Sequence, residues 1–276
     1  MNYKIICDSS SDVLSYERDN YSTVPMKIVA GERQFVDNSE LDVSAMMTFL
    51  EKYNGKSGSS CPNVQEWLDA FGDAECVFCV AMTSNLSGSC NSARMAVKQY
   101  LKDHPERRGV VIDTLSTGPE NALIAEKIFE LADGGAEFDE ICDKIVEYQK
   151  STHLIFALES MHNLAANGRV SHVVAKIAGI LGIRAIGIAS DVGTLEMVAK
   201  PRGIKNTIAE IFKIMLDKGF CGGRVKIHHS ENEEGAKSLA EKILSAFPKC
   251  IISVRKTTAL CSFYAERGGI LIGYEA

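Results

Sequence analysis

The sequence lacks the features that mark several protein classes. Its 276 residues include only six prolines, one tryptophan and 7% aromatic residues, and they contain no low-complexity stretch. This composition gives little basis for disorder. No apolar run is long enough for a transmembrane helix, so we expect no stable membrane insertion. Acidic residues outnumber basic ones by 36 to 30, which argues against a nucleic-acid partner.

The remaining composition is that of a globular domain. Hydrophobic residues make up 46% of the chain and charged residues 24%, which are ordinary values for such a protein. The nine cysteines are odd in number, and Asp8 comes too early for a signal peptide, so we expect reduced thiols and a cytoplasmic location. A chain of this length buries a core without needing a structural metal.

Short apolar runs alternate with amphipathic stretches along the chain. The predicted strands are residues 3–7, 24–29, 77–82, 110–112, 154–157, 184–188, 225–228 and 251–254. The predicted helices are residues 43–53, 64–71, 88–102, 121–131, 137–149, 170–181, 204–218 and 234–247. Two short ribbons are also predicted, one near residue 31 and one over 186–200. The order predicts an α/β protein with substantially parallel sheets.

We expect two α/β lobes with a ligand cleft or tunnel between them. A long helical stretch ends near residue 152, so the predicted N-terminal lobe is 1–152 and the C-terminal lobe is 153–276. The N-terminal lobe carries the Ser/Thr-rich turns described next, and the C-terminal lobe is expected to contribute apolar surface.

Four serine-rich segments precede predicted helical stretches, and three of the four directly follow a predicted strand. They are residues 8–12 (Asp-Ser-Ser-Ser-Asp), 57–63 (Ser-Gly-Ser-Ser-Cys-Pro-Asn), 83–90 (Thr-Ser-Asn-Leu-Ser-Gly-Ser-Cys) and 113–118 (Asp-Thr-Leu-Ser-Thr-Gly). Each is readable as a helix cap, and for residues 8–12 the cap and a ligand crevice are equally well supported. Several such turns at one edge of a parallel sheet indicate an anion-binding end to a pocket.

Other motifs are better explained by structure than by chemistry. Cys76 and Cys79 lie in a strand and should face opposite sides of its sheet, so a redox or zinc site is not expected. The adjacent His228 and His229 also point oppositely, which disfavours joint metal ligation. No metal cluster and no catalytic triad is assigned. Arg169 and Arg202 lie in basic turns that are either solvated loops or contacts for a phosphate or an acidic partner.

The chain resembles the DegV family across nearly its whole length. The resemblance rests on seven short motifs that occur in the family's order. They are Asp-Ser-Ser-Ser-Asp (8–12), Val-Pro-Met-Lys-Ile (24–28), Ser-Ser-Cys-Pro (59–62), Leu-Ser-Gly-Ser (86–89), Asp-Thr (113–114), Asn-Gly-Arg-Val-Ser (167–171) and Lys-Pro-Arg (200–202). It implies a bacterial two-lobed α/β protein that binds a long-chain fatty acid, such as palmitate or stearate, and has no other cofactor. Some family members deliver the acid to a separate fatty-acid kinase.

The family's carboxylate-binding hydroxyls correspond here to Ser59 and Ser87, with Ser60, Gly88 and Ser89 as supporting contacts. Two departures are visible. The family's Thr-Ser-Gln-Pro-Ser is Ser-Ser-Cys-Pro-Asn at 59–63, and the family's C-terminal His-x-Gly-Pro-Gly is absent, since residues 263–270 contain no histidine. The resemblance therefore implies ligand binding through serine hydroxyls, and the basic turns separately predict Arg169 and Arg202 as partner contacts.

A fatty acid also requires an apolar tunnel for its tail. The most apolar stretch of the second lobe supplies the predicted lining, which is Val173, Val174, Ile177, Ala178, Ile180, Leu181 and Ile186. The leading hypothesis is a lipid-binding protein without enzymatic activity. The alternatives are an enzyme that acts on a small phosphorylated or carboxylated metabolite in the cleft, and an interaction module that presents its ligand through Arg169 and Arg202.

Overall fold

The computed structural model describes residues 2–171, 173 and 182–276. The strands are β1 (Tyr3–Asp8), β2 (Tyr21–Val24), β3 (Lys27–Ala30), β4 (Arg33–Val36), β5 (Ser57–Ser60), β6 (Cys76–Ala81), β7 (Arg108–Asp113), β8 (Thr152–Leu158), β9 (Ala185–Ala189), β10 (Leu195–Ala199), β11 (Arg224–His229), β12 (Ile251–Lys256) and β13 (Ile270–Glu275). The helices are α1 (Val43–Lys52), α2 (Val64–Phe71), α3 (Ser89–Asp103), α4 (Pro119–Asp133), α5 (Phe138–Tyr148), α6 (His162–Ala166), α7 (Ile204–Asp217), α8 (Glu233–Ala246) and α9 (Ala259–Ala265). Short 3₁₀ turns cover Ser9–Ser11 and Gln149–Ser151.

The N-terminal lobe is built on a four-stranded parallel sheet with strand order β2-β1-β6-β7. Its strands are apolar on both faces because helices cover both faces. Along β6, Phe78 and Val80 pack with α4 and α5, whereas Val77 and Cys79 pack with α2 and α3. The period of two along the strand thus divides one apolar run between two cores.

The C-terminal lobe contains a six-stranded mixed sheet with order β10-β9-β8-β13-β11-β12. Only β11 and β12 pair in parallel, and the other neighbours are antiparallel. The expectation of parallel sheets therefore holds for the four-stranded sheet and is wrong for most of the six-stranded one. Two of its four antiparallel pairings involve β13, which the strand prediction missed.

The six-stranded sheet has two apolar faces with different partners. Ile155 and Ile272 face a core completed by helices α7 and α8. Their neighbours Phe156 and Leu271 face the opposite way, toward Met161, Leu164 and Cys261. This second face is the one that points to the candidate site.

A three-stranded antiparallel sheet, β4-β3-β5, extends the first lobe. The predicted strand 24–29 divides here, because Pro25 has no N–H for a ladder and separates β2 from β3. Ile28 of the small sheet packs with Met46, Met82 and Phe263. The small sheet thereby joins α1 to α9 from the C-terminal part of the chain. The division of the chain at residue 152 remains a prediction, and β8 begins at Thr152.

Candidate functional site

An apolar cavity lies between the two lobes. Its walls are Met26, Ser59, Met82, Leu86, Ser87, Thr117, Leu154, Phe156, Leu158, Leu164, Arg169, Leu195, Leu260, Cys261, Tyr264, Ala265 and Leu271. Most of this lining is aliphatic, so the cavity suits an apolar ligand that carries a small polar group.

Two of the predicted serines line this cavity. Ser59 lies in β5, where it pairs with Ile28 of β3, and its Oγ is 2.7 Å from the Tyr264 hydroxyl oxygen. Ser87 lies in the turn between β6 and α3, and its Oγ accepts a hydrogen bond from the Ser89 N–H at 3.2 Å. Ser59 thus belongs to a strand, and it is Asn63, not Ser59 or Ser60, that caps α2.

Arg169 also lines the cavity, a place that its sequence motif did not predict. Its guanidinium donates to the carbonyl oxygens of Leu86, at 3.3 Å, and Asn167, at 2.6 Å. The guanidinium carbon is 5.4 Å from the centre of the Tyr264 ring, within the range of a cation–π contact. Arg169 therefore links the chain beside Ser87 to the ring beside Ser59. Arg202, in contrast, is exposed.

Tyr264 is a residue that sequence reasoning missed. It lies on α9, and the only feature noted in its segment was a missing histidine. Burial raises the pKa of its phenol, and the hydrogen bond with Ser59 and the charge of Arg169 act against that rise. The phenol is therefore a neutral hydrogen-bonding group at the polar end of the cavity.

Three predicted supporting residues do not line the cavity. Ser60 is exposed, because successive residues of a strand point to opposite faces. Gly88 is exposed as well, and Ser89 is buried with its hydroxyl donated to Asp8 at 2.6 Å. Proximity in sequence to Ser59 and Ser87 therefore does not bring these side chains to the cavity.

The predicted tunnel lining is wrong at Val173 and Ile186. Val174, Ile177, Ala178, Ile180 and Leu181 lie outside the described residues, and Val173 is 73% exposed. Ile186 packs into the core formed with α7 and α8, on the face of the sheet away from the cavity.

The described wall comes from other elements. Leu154, Phe156 and Leu158 alternate along β8, Leu271 belongs to β13 and Leu195 to β10. The sequence predicts a strand over 154–157. It does not show which face of that strand meets a cavity.

The serine-rich segment at residues 8–12 does not line the cavity. Its side chains form a buried cluster of hydrogen bonds, called the hub below. The Ser10 hydroxyl donates to Asp8 at 2.5 Å, and the other Asp8 oxygen accepts from the Met82 N–H at 3.0 Å and from Ser89. Asp12 lies 2.8 Å from Nδ1 of His228. Burial lowers the pKa of His228 even though the negative charge of Asp12 raises it. The contact is therefore a hydrogen bond that the neutral ring donates to the Asp12 carboxylate.

Asp37 completes this hub and anchors α9. Its carboxylate accepts from the N–H groups of Ala259, at 2.7 Å, and Leu260, at 3.1 Å, and from the Ser9 hydroxyl at 2.8 Å. Burial raises its pKa to about 6. Of the two interpretations left open for residues 8–12, the geometry supports a structural role, since the hub satisfies orphan donors at a helix start.

The motifs that were discounted have structural environments. Cys76 and Cys79 pack in the cores on opposite faces of the parallel sheet. Across residues 2–171, 173 and 182–276, no three His, Cys, Asp or Glu side chains are grouped in a way that could hold a metal ion. In the same part of the chain, no helix combines the length and hydropathy needed to cross a membrane.

Comparison with known proteins places the chain in a family. The DegV family model matches residues 2–276. DegV domain-containing proteins of Streptococcus pneumoniae strain R6 and Streptococcus gordonii are 40% and 38% identical over 279 residues, with 100% of this chain and 99% of each relative covered.

Two solved structures superpose over almost the whole chain. One is a DegV family protein from Eubacterium eligens loaded with heptadecanoic acid, with 40% identity, a TM-score of 0.97 and 99% of both chains covered. The other is the Streptococcus pneumoniae Fatty Acid Kinase (Fak) B3 protein loaded with linoleic acid, with 39% identity, a TM-score of 0.97, and 100% of this chain and 99% of that chain covered. The chain therefore belongs to the DegV family.

Proposed function

We propose that this protein binds a long-chain fatty acid, with the carboxylate at Ser59 and Ser87 and the tail in the apolar cavity. The observation that carries the proposal is the composition of one cavity wall: hydroxyl groups of two separate elements occur among a largely aliphatic lining. A fatty acid has the same distribution of polar and apolar surface.

The chemistry of the polar groups suits a carboxylate. An ionised carboxylate only accepts hydrogen bonds, and the Ser59 and Ser87 hydroxyls can donate them. Arg169 adds a positive charge to the same wall, which favours the ionised form of the ligand. Bonds of this charge-assisted kind are stronger than those between neutral groups.

The apolar walls supply the larger part of the binding free energy. Each buried methylene contributes about 0.8 kcal/mol. Met26 and Met82 belong to the lining, and their unbranched side chains adapt to the shape of a ligand. Palmitate and stearate are the ligands to test first.

The related structures support this ligand class. The Eubacterium eligens protein holds heptadecanoic acid and the pneumococcal protein holds linoleic acid, and both are similar to this chain over almost all of its length. The apolar lining also disfavours the alternative of an enzyme for a small phosphorylated metabolite, which would need a polar cleft. We therefore propose a binding protein and not an enzyme.

Native purification tests this function. We expect native mass spectrometry and lipid extraction to find a fatty acid in the purified protein, and the delipidated protein to take up C16–C18 acids. An empty protein that takes up none of these acids would contradict the proposal. The Ser59→Ala, Ser87→Ala double variant should lose most of the bound acid, and unchanged occupancy would reject the assigned carboxylate site.

We further propose that the protein is a cytoplasmic carrier that presents its fatty acid to a separate kinase. The name of the pneumococcal relative supports a kinase partner, and Arg202 is exposed on the surface. Charge reversal by Arg202→Glu should abolish phosphorylation of the bound acid by the organism's fatty-acid kinase while lipid content stays constant. Loss of lipid in the same variant would instead assign Arg202 a structural role.

A further inference from the structure

We propose that Tyr264 is a positioning residue for the carboxylate, and that it acts by donating its hydroxyl proton to Ser59. The Ser59 proton is then directed at the ligand. This inference rests on the proposed function, because it concerns the same polar end of the cavity. It adds a residue from the C-terminal part of the chain to the two serines, which belong to the first lobe.

The direction of the Ser59–Tyr264 hydrogen bond follows from counting the hydroxyl protons that can be donated. Ser59 has one hydroxyl proton, and a carboxylate offers only acceptors. When Ser59 donates to the carboxylate, its oxygen can only accept from Tyr264. The 2.7 Å separation of the two oxygens is the usual length for such an O–H···O bond. A chain of two hydroxyls also polarises each bond in it.

Ser87 also accepts a hydrogen bond within the protein, but its donor is a backbone N–H group. Its Oγ accepts the Ser89 N–H at 3.2 Å, so the Ser87 proton remains for a ligand. Within residues 2–171, 173 and 182–276, the Ser59 side chain has one hydrogen bond, to Tyr264. Each serine therefore accepts one internal hydrogen bond, from the backbone for Ser87 and from a side chain for Ser59.

Several contacts hold Tyr264 in place and so set the direction of its hydroxyl group. The N–H groups at the start of α9 are bound by Asp37. The carbonyl oxygen of Phe263 accepts from the Asn163 side chain at 2.8 Å, and the Arg169 guanidinium lies over the Tyr264 ring. A tyrosine with its helix and its ring both anchored loses little further freedom when a ligand binds.

Tyr264→Phe removes the hydroxyl and keeps the ring. Dissociation constants for palmitate and methyl palmitate should be measured on the delipidated wild-type protein, on Tyr264→Phe, on Ser59→Ala and on the double variant. We expect Tyr264→Phe to weaken palmitate binding about tenfold, as for loss of a typical hydrogen bond. Binding of methyl palmitate should weaken less, because its ester carbonyl accepts only a neutral hydrogen bond from Ser59. In the Ser59→Ala background, Tyr264→Phe should have no further effect.

Tyr274→Phe is the matched control. Tyr274 is fully buried in the core that α7 and α8 complete, and its hydroxyl has no hydrogen-bond partner within the described part of the chain. This variant should leave both dissociation constants unchanged. An unchanged midpoint of thermal unfolding for Tyr264→Phe confirms that the variant is folded.

The other outcomes overturn the inference. Equal weakening for palmitate and its methyl ester would mean that Tyr264 only shapes the cavity. Additive losses in the double variant would mean that Tyr264 contacts the ligand without Ser59, and an unchanged palmitate affinity in Tyr264→Phe would give it no role. Failure of the wild-type protein to bind palmitate at all would reject the proposed function together with this inference.

Discussion

Two serine-containing clusters of this protein look alike in sequence and differ in structure. In the hub, the Ser9 and Ser10 hydroxyls donate to Asp37 and Asp8. At the polar end of the cavity, the Ser59 and Ser87 hydroxyls face a space lined mostly by aliphatic side chains. The first cluster is fully buried, whereas Ser59 and Ser87 are half-buried.

The difference lies in whether the chain supplies its own acceptors. Buried polar groups must be hydrogen-bonded, and the hub meets this need with carboxylates of the same chain. Ser87 accepts one hydrogen bond and retains a proton to donate, and with the bond direction proposed above Ser59 does the same. A ligand-binding hydroxyl is therefore recognised by an unused donor, and not by the density of serines around it.

The largest effect should come from removing the carboxylate that anchors the hub. Asp37→Ala leaves the buried N–H groups of Ala259 and Leu260 without their acceptor. At ~1–3 kcal/mol for each unsatisfied group, we expect a loss of about 3–5 kcal/mol in the free energy of unfolding, measured with urea. The exposed Asp73→Ala should change it by less than about 0.5 kcal/mol. Similar losses in both variants would show that the hub is dispensable for stability.

The hub should also make stability depend on pH. The folded-state pKa of Asp37 is raised to about 6 from an ordinary 3.8, so the unfolded chain releases this proton first as pH rises. The stabilisation that comes from protonating Asp37 is therefore fully present below pH 3.8 and is lost as pH rises through 6, while the hydrogen bonds to Ala259 and Leu260 remain. A shift of about two units corresponds to about 3 kcal/mol.

Asp37→Asn isolates this pH dependence, because the amide keeps an acceptor and does not titrate. The free energy of unfolding of the wild-type protein minus that of Asp37→Asn should fall between pH 4 and pH 6.5. A difference that stays constant or rises across this range would contradict the raised pKa.

The cavity cluster should respond in binding and not in stability. Ser87→Ala removes a donor to the charged carboxylate, so we expect palmitate affinity to fall by about 1.5–3 kcal/mol. The free energy of unfolding without ligand should change little, since Ser87 only accepts one local hydrogen bond. Isothermal titration with palmitate and urea unfolding of the delipidated protein measure the two quantities. A large loss of stability with unchanged palmitate affinity would mean that Ser87 has a structural role, as the serines of the hub do.

The smallest effect is expected at Ser60, directly beside Ser59. Its side chain is exposed and does not line the cavity. Ser60→Ala should alter palmitate affinity by less than about 0.5 kcal/mol. A loss as large as that of Ser59→Ala would mean that the ligand reaches the outer face of β5, and the distinction between the two serines would fail.

Much of the fold was predictable because local periodicity carries it. The helix over 64–71 was predicted with the bounds that α2 has, and the ribbon over 186–200 corresponds to β9 and β10. Residues 57–60 were expected to precede a helix as a turn. They form β5 because β3 supplies a pairing edge, and Ser-Gly-Ser-Ser itself has low strand propensity.

The sequence by itself determined the α/β class, the acidic net charge, and the two serines that carry the family resemblance. The tertiary structure decided which face of each strand meets the cavity, and it brought Tyr264 beside Ser59 across 205 positions of sequence. Local patterns encode the period of an element, but a pairing between distant segments depends on how the lobes pack. For this reason the hub and the cavity could be distinguished only by their hydrogen-bond partners in space.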